Sequence, residues 1–323
     1  MAFHTCSTNC EDPSQHLVRL AQSSDGTSWS DVAGWQAYKG SVPDVFRRGS
    51  TLYVTGAGLT KIDLTNGMAT ATRLVVKRSG GGNEMSRDVS FAGQLPDGRL
   101  AIAYVPSMQE VAGAAEIPIL MAVEDVGSDG SAYTSVGAVI SIPISSLPVR
   151  GEPTDPDVFF NGSEWILYVS VGANLIAYRS SSMLGPYALA TQQVVSREAG
   201  GVPAGIVGAG GVWTFVNFGP SRNSIEIRRA VSVDGLSGLS AFTTVLTGSP
   251  YGATTAESPG ITANTPGIAC GAGCAATTAD SSGSSSATRG VKPGARCTKA
   301  GAKATYQGRT LTCTRAKGRL VWR

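Results

Sequence analysis

The chain has 323 residues, of which 42% are hydrophobic and 15% are charged, so it can bury a core and is not disordered as a whole. No apolar run reaches the roughly 18 residues that a membrane helix needs, and the longest candidate is interrupted by Glu116 and Pro118. The net charge of +3 conceals an asymmetry, because residues 287–323 carry ten of the 26 Lys and Arg residues and no acidic residue, which leaves the remainder acidic.

The first residues, MAFHTCSTNC, lack the basic start and the apolar stretch of a signal peptide. Such an opening is typical of the inside of a strand, and we expect that an upstream segment is missing from this sequence. Helical periodicity is nearly absent from the rest of the chain. Short runs of Val, Ile, Tyr and Phe recur between Gly, Asp, Ser and Asn instead, which predicts an all-β fold.

Five segments begin alike, with a short strand followed by a turn. In the first four segments, a more strongly apolar strand follows the turn. They are SVPDVFRRGSTLYVTGAG from Ser41, SRDVSFAGQLPDGRLAIAYV from Ser86, TDPDVFFNGSEWILYVSVG from Thr154, GGVPAGIVGAGGVWTFVNFG from Gly200 and a degenerate ESPGITANTPG from Glu257. Their spacing of roughly 45 to 70 residues matches four-stranded blades around a central channel. Asp-Gly phrases such as SSDGTSW and SVDGLSG are typical of the outer hairpin turns.

The two ends of the repeat are complementary. HLVRLAQSSDGTSW near the N-terminus reads as a third strand that lacks an inner strand, whereas ESPGIT reads as an inner strand with little after it. If both ends share one blade, the ring closes with five blades and leaves no exposed sheet edge. The sequence therefore predicts a five-bladed β-propeller with a small C-terminal β module.

Two phrases resemble a known family. DPDVFFNGSEWILYVS followed by AYRSSSMLGPY, which contains Gly185, Pro186 and Tyr187, is similar to the corresponding segments of family-43 glycoside hydrolases and their arabinanase-like relatives. The resemblance covers roughly residues 4–262. It implies a five-bladed propeller that hydrolyses a polysaccharide or its side chains with inversion. An Asp base, an Asp that tunes the pKa and a Glu acid perform this reaction in the family.

The resemblance places Asp155, which precedes Pro156, on the pKa-tuning Asp. Glu257 occupies the corresponding position of the shared blade in our alignment, and it is our choice for the partner carboxylate. Three further aspartates near the starts of inner strands support this pair, namely Asp44, Asp88 and Asp157. We expect two such groups at one mouth to supply the acid and the base of glycoside hydrolysis.

Other residues leave an alternative open. The blades expected to carry the family's Asp base and Glu acid have Val42 and Val202 there, although Glu198 lies close enough in sequence to replace the acid. Aspartates at strand starts also commonly cap backbone N–H groups. A non-catalytic, secreted carbohydrate-binding or cell-surface propeller is therefore the second hypothesis.

Aromatic residues before the first inner strand are candidates for sugar contacts. Trp35 and Tyr38 lie in this loop and could stack on a sugar at the rim. With only His4 and His16, a Ser-His-Asp triad or a His-rich metal site is improbable. We expect no cofactor, no metal and no nucleic-acid partner, because neither a phosphate loop nor an aromatic-interleaved basic patch is present.

The C-terminal part of the chain changes composition. We predict a propeller over residues 1–266, an Ala/Ser/Thr/Gly-rich linker over 267–288 and a basic module over 289–323 that could bind an anionic cell wall or membrane. The six cysteines form three local pairs, which favours disulfides and a secreted or cell-surface location. The pairs are Cys6 with Cys10, Cys270 with Cys274 and Cys297 with Cys313, and the first two could alternatively form a four-Cys zinc site.

Overall fold

The structure is a computed structural model that describes residues 1–147, 151–190, 201–221, 223–263, 300–301, 303–306, 309–316 and 319–323. Strands form most of these residues, as the repeated Val-, Ile- and Tyr-rich runs predict. The chain divides into two compact units, residues 1–279 and 280–323. Among the described residues, no helix has the length and hydrophobicity required to span a bilayer.

The first unit contains five sheets. The N-terminal strands are β1 (Ala2–Cys6), β2 (Leu17–Gln22), β3 (Ser30–Asp31) and β4 (Tyr38–Lys39). The next two sheets contain β5 (Val45–Arg48), β6 (Thr51–Val54), β7 (Leu59–Asp63), β8 (Met68–Thr72), β9 (Val75–Lys77), β10 (Ser86–Gln94), β11 (Leu100–Pro106), β12 (Glu116–Glu124) and β13 (Ala132–Pro143). The remaining strands are β14 (Pro153–Phe160), β15 (Trp165–Val171), β16 (Asn174–Ser180), β17 (Ala188–Leu189), β18 (Ala204–Gly208), β19 (Gly211–Ser221), β20 (Ser224–Ser232), β21 (Thr243–Leu246) and β22 (Thr255–Gly260). The helical segments are α1 (Met108–Val111) and the 3-10 turns Pro13–Gln15, Ile144–Ser146 and Ser249–Tyr251.

These sheets are the blades of a five-bladed β-propeller. The first blade is β5–β8, the second β9–β13, the third β14–β17 and the fourth β18–β21. The shared blade joins both ends of the repeat, because β22 is its innermost strand and β1 and β2 follow outward. The register pairs Glu257 with His4 and Cys6 with Thr255. The predicted propeller and its shared blade are therefore confirmed.

The hydrophobic core lies between the blades. Five apolar clusters fill the five junctions between neighbouring blades. The second strand of each blade is covered on both faces. On β15, for example, the adjacent residues Ile166 and Leu167, whose side chains lie on opposite faces, are both fully buried, as is Val169. Each such side chain stabilises the fold by about 1.5–3 kcal/mol relative to an exposed one. This packing explains why the second strands are the most apolar runs of the repeat.

The predicted Asp-Gly turns pack against the neighbouring blade. In the turn between β2 and β3, Asp25 accepts hydrogen bonds from the backbone N–H groups of Thr27 and Ser28 at 2.8 and 2.9 Å. The glycine of each turn has a positive φ and packs against an aromatic residue on the second strand of the preceding blade. The pairs are Gly26 on Trp213, Gly130 on Tyr53 and Gly235 on Tyr168.

The second unit contains a three-stranded antiparallel sheet, which confirms the predicted β module. Its strands are β23 (Lys303–Tyr306), β24 (Arg309–Ala316) and β25 (Arg319–Trp322). Cys313 of β24 is disulfide-bonded, whereas the predicted partner Cys297 lies outside the described residues, so their pairing stays a prediction. The predicted linker and the pair Cys270 and Cys274 also lie outside the described residues.

The disulfide between Cys6 and Cys10 closes a short loop at the end of β1. It confirms the expected local pairing of these two cysteines. Because neither sulfur carries a free thiolate, neither can serve as a ligand of the alternative zinc site.

Candidate functional site at the propeller mouth

Every inner strand is preceded or entered by one non-glycine residue in the left-handed conformation. A positive φ is strained for an L-residue, above all for a β-branched one, and persists only where the surrounding structure enforces it. The five residues and their φ angles are Val42 (47°), Asp88 (54°), Asp155 (49°), Val202 (40°) and Ser258 (60°). Bulges in the sheet registers at Asp88, Asp155 and Ser258 mark the same point. These are therefore the equivalent positions of the five blades.

Four of these five residues line a common cavity at the centre of the ring, which we call the mouth cavity. Its volume is about 20 Å³, which is room for about one water molecule and not for a sugar ring. The walls come from all five inner strands or from the residues just before them and consist of Val42, Pro43, Asp44, Asp88, Val89, Ser90, Asp155, Pro156, Asp157, Val202, Pro203 and Pro259.

The two deepest carboxylates hold neighbouring blades together. Asp44 accepts a hydrogen bond at 2.6 Å from the backbone N–H of Phe91 in the second blade and another at 2.7 Å from Val45. Asp157 does the same between the third and fourth blades, where it accepts a hydrogen bond at 2.8 Å from the backbone N–H of Gly205. Both side chains act as backbone caps, which is the structural alternative that the sequence left open.

Burial controls the protonation of these caps. Desolvation raises the pKa of Asp44 to about 6, against the lowering effect of its backbone hydrogen bonds. The pKa of Asp157 is raised well above its usual range by burial and by the nearby charge of Asp44. Ser90, which is not among the predicted site residues, lines the cavity beside both carboxylates. A serine at a strand start carries no pattern that would reveal this.

Two carboxylates are less deeply placed at the mouth. Asp88 and Asp155 occupy equivalent positions of adjacent blades and are both half-buried. A carboxylate oxygen of Asp88 lies 3.4 Å from the Arg87 guanidinium, and burial raises the pKa of Asp88 overall. Asp155 accepts a hydrogen bond from the Thr154 hydroxyl at 2.6 Å. The structure thus brings four of the five predicted aspartates and glutamates to one cavity.

The fifth, Glu257, lies elsewhere. Ser258, and not Glu257, occupies the position equivalent to Asp155. Because side chains alternate along a strand, the difference of one residue turns Glu257 away from the mouth cavity. Its carboxylate is buried, lies 3.4 Å from His4 Nε2 and accepts a hydrogen bond from the Thr255 hydroxyl at 3.1 Å.

One group of described residues offers three potential metal ligands close together. Donor atoms of His4, His16 and Glu257 lie within 4.8 Å of one another. However, His4 Nδ1 accepts a hydrogen bond from the backbone N–H of Val42 at 3.3 Å, so the ring proton belongs on Nε2, which faces Glu257. The two imidazole rings also stack nearly parallel, so their in-plane lone pairs do not converge on one ion. The arrangement does not fit a metal.

The predicted sugar platforms pack against protein. Trp35 donates its indole N–H to the Val18 carbonyl at 3.3 Å, and the Tyr38 hydroxyl donates to the Thr55 carbonyl at 3.4 Å. Both rings are half-buried against the apolar cluster between the shared and first blades, and burial raises the pKa of Tyr38 to about 12. Neither residue lines the mouth cavity, and their contact with a sugar stays a prediction.

A larger apolar cavity of about 440 Å³ lies past the end of β22, where Ile261 and Thr262 form part of its wall. It is lined by side chains of the shared, first and fourth blades, including Trp29 and Trp213. Both indole N–H groups donate to backbone carbonyls, those of Gly26 and Ala209. The cavity contains none of the predicted site residues.

No protein-family model matches this sequence, and no curated protein matches it either. Solved structures of similar fold include a thermostable family-43 glycoside hydrolase, at 15% identity and a TM-score of 0.48, covering 71% of this chain and 86% of that one. A second is an α-L-arabinofuranosidase from Clostridium thermocellum, at 15% identity and a TM-score of 0.48, covering 64% of this chain and 73% of that one. A third is an α-L-arabinanase from Cellvibrio cellulosa in complex with arabinohexaose, at 14% identity and a TM-score of 0.42, covering 68% of this chain and 76% of that one. The five-bladed arrangement itself follows from the sheet topology of this chain.

Proposed function

We propose that this protein is a non-catalytic carbohydrate-binding propeller. The observation that carries this proposal is the use of Asp44 and Asp157 as caps on backbone N–H groups of the next blade. Both carboxylates are buried and bonded to main-chain donors, Asp44 through both of its oxygens and Asp157 through one, so these groups serve the fold. The same two groups connect the blades and thereby stabilise the ring.

The geometry of the mouth also supports a non-catalytic function. Inverting hydrolysis needs an acid and a base about 6.5–9.5 Å apart on either side of the bond, with space for a water molecule and the sugar between them. Val42 and Val202 occupy two of the five equivalent positions, and their side chains offer no acid or base; Glu198, the possible replacement acid, lies outside the described residues. The cavity of about 20 Å³ does not admit the sugar. Glu257 faces His4 instead of the mouth.

Carbohydrate is the proposed ligand because the sequence phrases resemble a family of glycoside hydrolases. Asp88 and Asp155 are the less buried carboxylates of the mouth, and we propose that they accept hydrogen bonds from sugar hydroxyls, although Asp88 also accepts one from the Asp155 backbone N–H. A hydrogen bond to a charged group contributes about 1.5–3 kcal/mol. We therefore expect a sugar to lie across the mouth rather than inside the channel.

Binding and cleavage can be measured in the same samples. Oligosaccharides of arabinose, xylose and galactose are titrated calorimetrically, and released reducing sugar is measured afterwards. We expect one class to bind without cleavage, and Asp155→Asn to weaken binding about tenfold, the equivalent of about 1.4 kcal/mol. Asp97→Asn is the control, because Asp97 is exposed in the turn after the end of β10 and does not line the mouth.

Two outcomes would overturn the proposal. Cleavage that Asp155→Asn and Glu257→Gln both abolish, with folding intact, would establish the hydrolase hypothesis. Absence of binding to every oligosaccharide would remove carbohydrate as the ligand. We further propose that the protein is secreted or displayed on a cell surface, since the Cys6–Cys10 disulfide is typical of an oxidising compartment.

A further inference from the structure

The closure of the ring is centred on His4. This residue lies in the middle of β1, between β22 and β2 of the shared blade, and is 1% exposed. Glu257 of β22 and His16 of the segment before β2 face its ring. The backbone of Val42, at the start of the first blade, donates a hydrogen bond to it. A single side chain thus contacts both chain ends of the propeller and the neighbouring blade.

The hydrogen bonds of His4 fix its protonation state. A backbone N–H can only donate, so the bond at 3.3 Å from Val42 requires an unprotonated Nδ1. A proton on Nδ1 would set two donors against each other and break this bond. The released N–H belongs to a β-branched residue with a φ of 47°, a strained conformation that needs its surroundings to persist.

His16 lacks this constraint. Its Nε2 lies 3.1 Å from the Cys10 carbonyl, and its Nδ1 lies 2.8 Å from the Ser41 hydroxyl. A hydroxyl can accept as well as donate, so the bond to Ser41 does not require an unprotonated Nδ1 in His16. The two stacked histidines, whose ring centroids are 4.0 Å apart, therefore differ in the structural consequence of taking up a proton.

We propose that His4 is a proton-sensitive latch of the ring closure. In its neutral form it joins β1 to the start of the first blade through Val42. In its protonated form it releases Val42, and the junction between the shared and first blades loosens at the mouth cavity. This inference does not depend on the ligand of the protein.

The direction of the pH effect follows from burial. Desolvation lowers the pKa of His4, with the Glu257 carboxylate opposing and His16 reinforcing the shift. A histidine whose folded pKa lies below its unfolded value of about 6.5 contributes stability above that pH, which is lost as the pH falls. Asp44, two residues after Val42, acts in the opposite direction because its pKa is raised. The test must therefore observe His4 itself.

The chain has only two histidines, so their ring resonances can be resolved by NMR in the intact protein. The first measurement follows both rings and the exchange of the Val42 amide from pH 7.5 to pH 4.5, after correction for intrinsic exchange. We expect the protection of Val42 to fall at least tenfold in step with the titration of His4 and independently of His16. Protonation of His4 with an unchanged Val42 amide would overturn the proposal.

Two variants separate a latch from a merely structural side chain. His4→Asn keeps an acceptor near the position of Nδ1 and cannot titrate, so we expect its Val42 protection to be independent of pH. His16→Gln is the matched control and should retain the wild-type transition. Glu257→Gln removes the charge that favours protonation, so the transition should move to lower pH. A transition that stays in place in Glu257→Gln would contradict the proposal even if His4→Asn fails to fold.

Discussion

The role of Asp44 as a blade cap can be tested by the variant Asp44→Asn. Burial raises the pKa of this carboxyl from 3.8 to about 6, a shift of about two pKa units at about 1.4 kcal/mol per unit. Because Asp44 is only 6% exposed, solvent screens this effect little. A raised pKa contributes stability below the unfolded value, and this stability is lost as the pH rises through 6.

Asparagine removes this pH dependence but also replaces one acceptor. The amide oxygen can accept one of the two backbone hydrogen bonds, from Val45 or Phe91, while the amide NH₂ faces the other donor. Such a mismatch costs about 1–3 kcal/mol at every pH. We expect Asp44→Asn to be clearly less stable than the wild type at pH 4 and to recover about 2.5 kcal/mol of the difference by pH 7.5.

Urea unfolding at intervals between pH 4 and pH 7.5 measures this difference. Asp97→Asn is a control of opposite sign, because Arg99 holds the pKa of the exposed Asp97 carboxyl below its usual value. The stability difference between Asp97→Asn and the wild type should therefore change with pH in the opposite direction. Parallel stability profiles for Asp44→Asn and the wild type would refute the assignment of Asp44 as a buried, proton-binding cap.

Three further predictions concern the blades and the module. Gly26→Ala should destabilise the propeller by more than Gly49→Ala, for which we expect a cost of roughly 1 kcal/mol. Both glycines have a positive φ, but an added Cβ at Gly26 would lie 2.5 Å from the Trp213 ring, whereas Gly49 has open space. Equal shifts of the unfolding temperature in the two variants would contradict this prediction. Cys6→Ser should cost about 2 kcal/mol, the chain-entropy value for so short a loop, and an unchanged unfolding midpoint under non-reducing conditions would count against it. A truncation after Asp280 should lose retention on anionic vesicles at low salt, and equal retention of both forms would exclude the basic module as the anchor.

The propeller could be predicted from the sequence because its features repeat. Blade-sized spacing of the inner strands and apolar second strands, such as β15, reflect packing on both faces. The Asp-Gly turn at Gly26 reflects local backbone chemistry that a short phrase specifies. The shared blade followed from an incomplete pattern at each end of the chain. Such features depend on short-range residue patterns and are readable without an alignment.

The site was less predictable because it depends on single positions. The alignment by sequence matched Glu257 with Asp155, whereas the backbone conformation matches Ser258 with Asp155. A shift of one residue reverses the face on which a strand side chain lies. The capping of Phe91 by Asp44 joins residues of different blades, and no local pattern encodes such a contact. The sequence identified the acidic residues of the mouth without their partners.

The most direct test of the proposed function is NMR observation of an oligosaccharide incubated with excess protein. The anomeric signals of arabino-, xylo- and galacto-oligosaccharides report binding through line broadening and cleavage through new reducing-end signals in the same spectrum. We predict broadening for one class of sugar and no new signals over several days, with less broadening for Asp155→Asn. New reducing-end signals of inverted configuration that disappear in Asp155→Asn would contradict it.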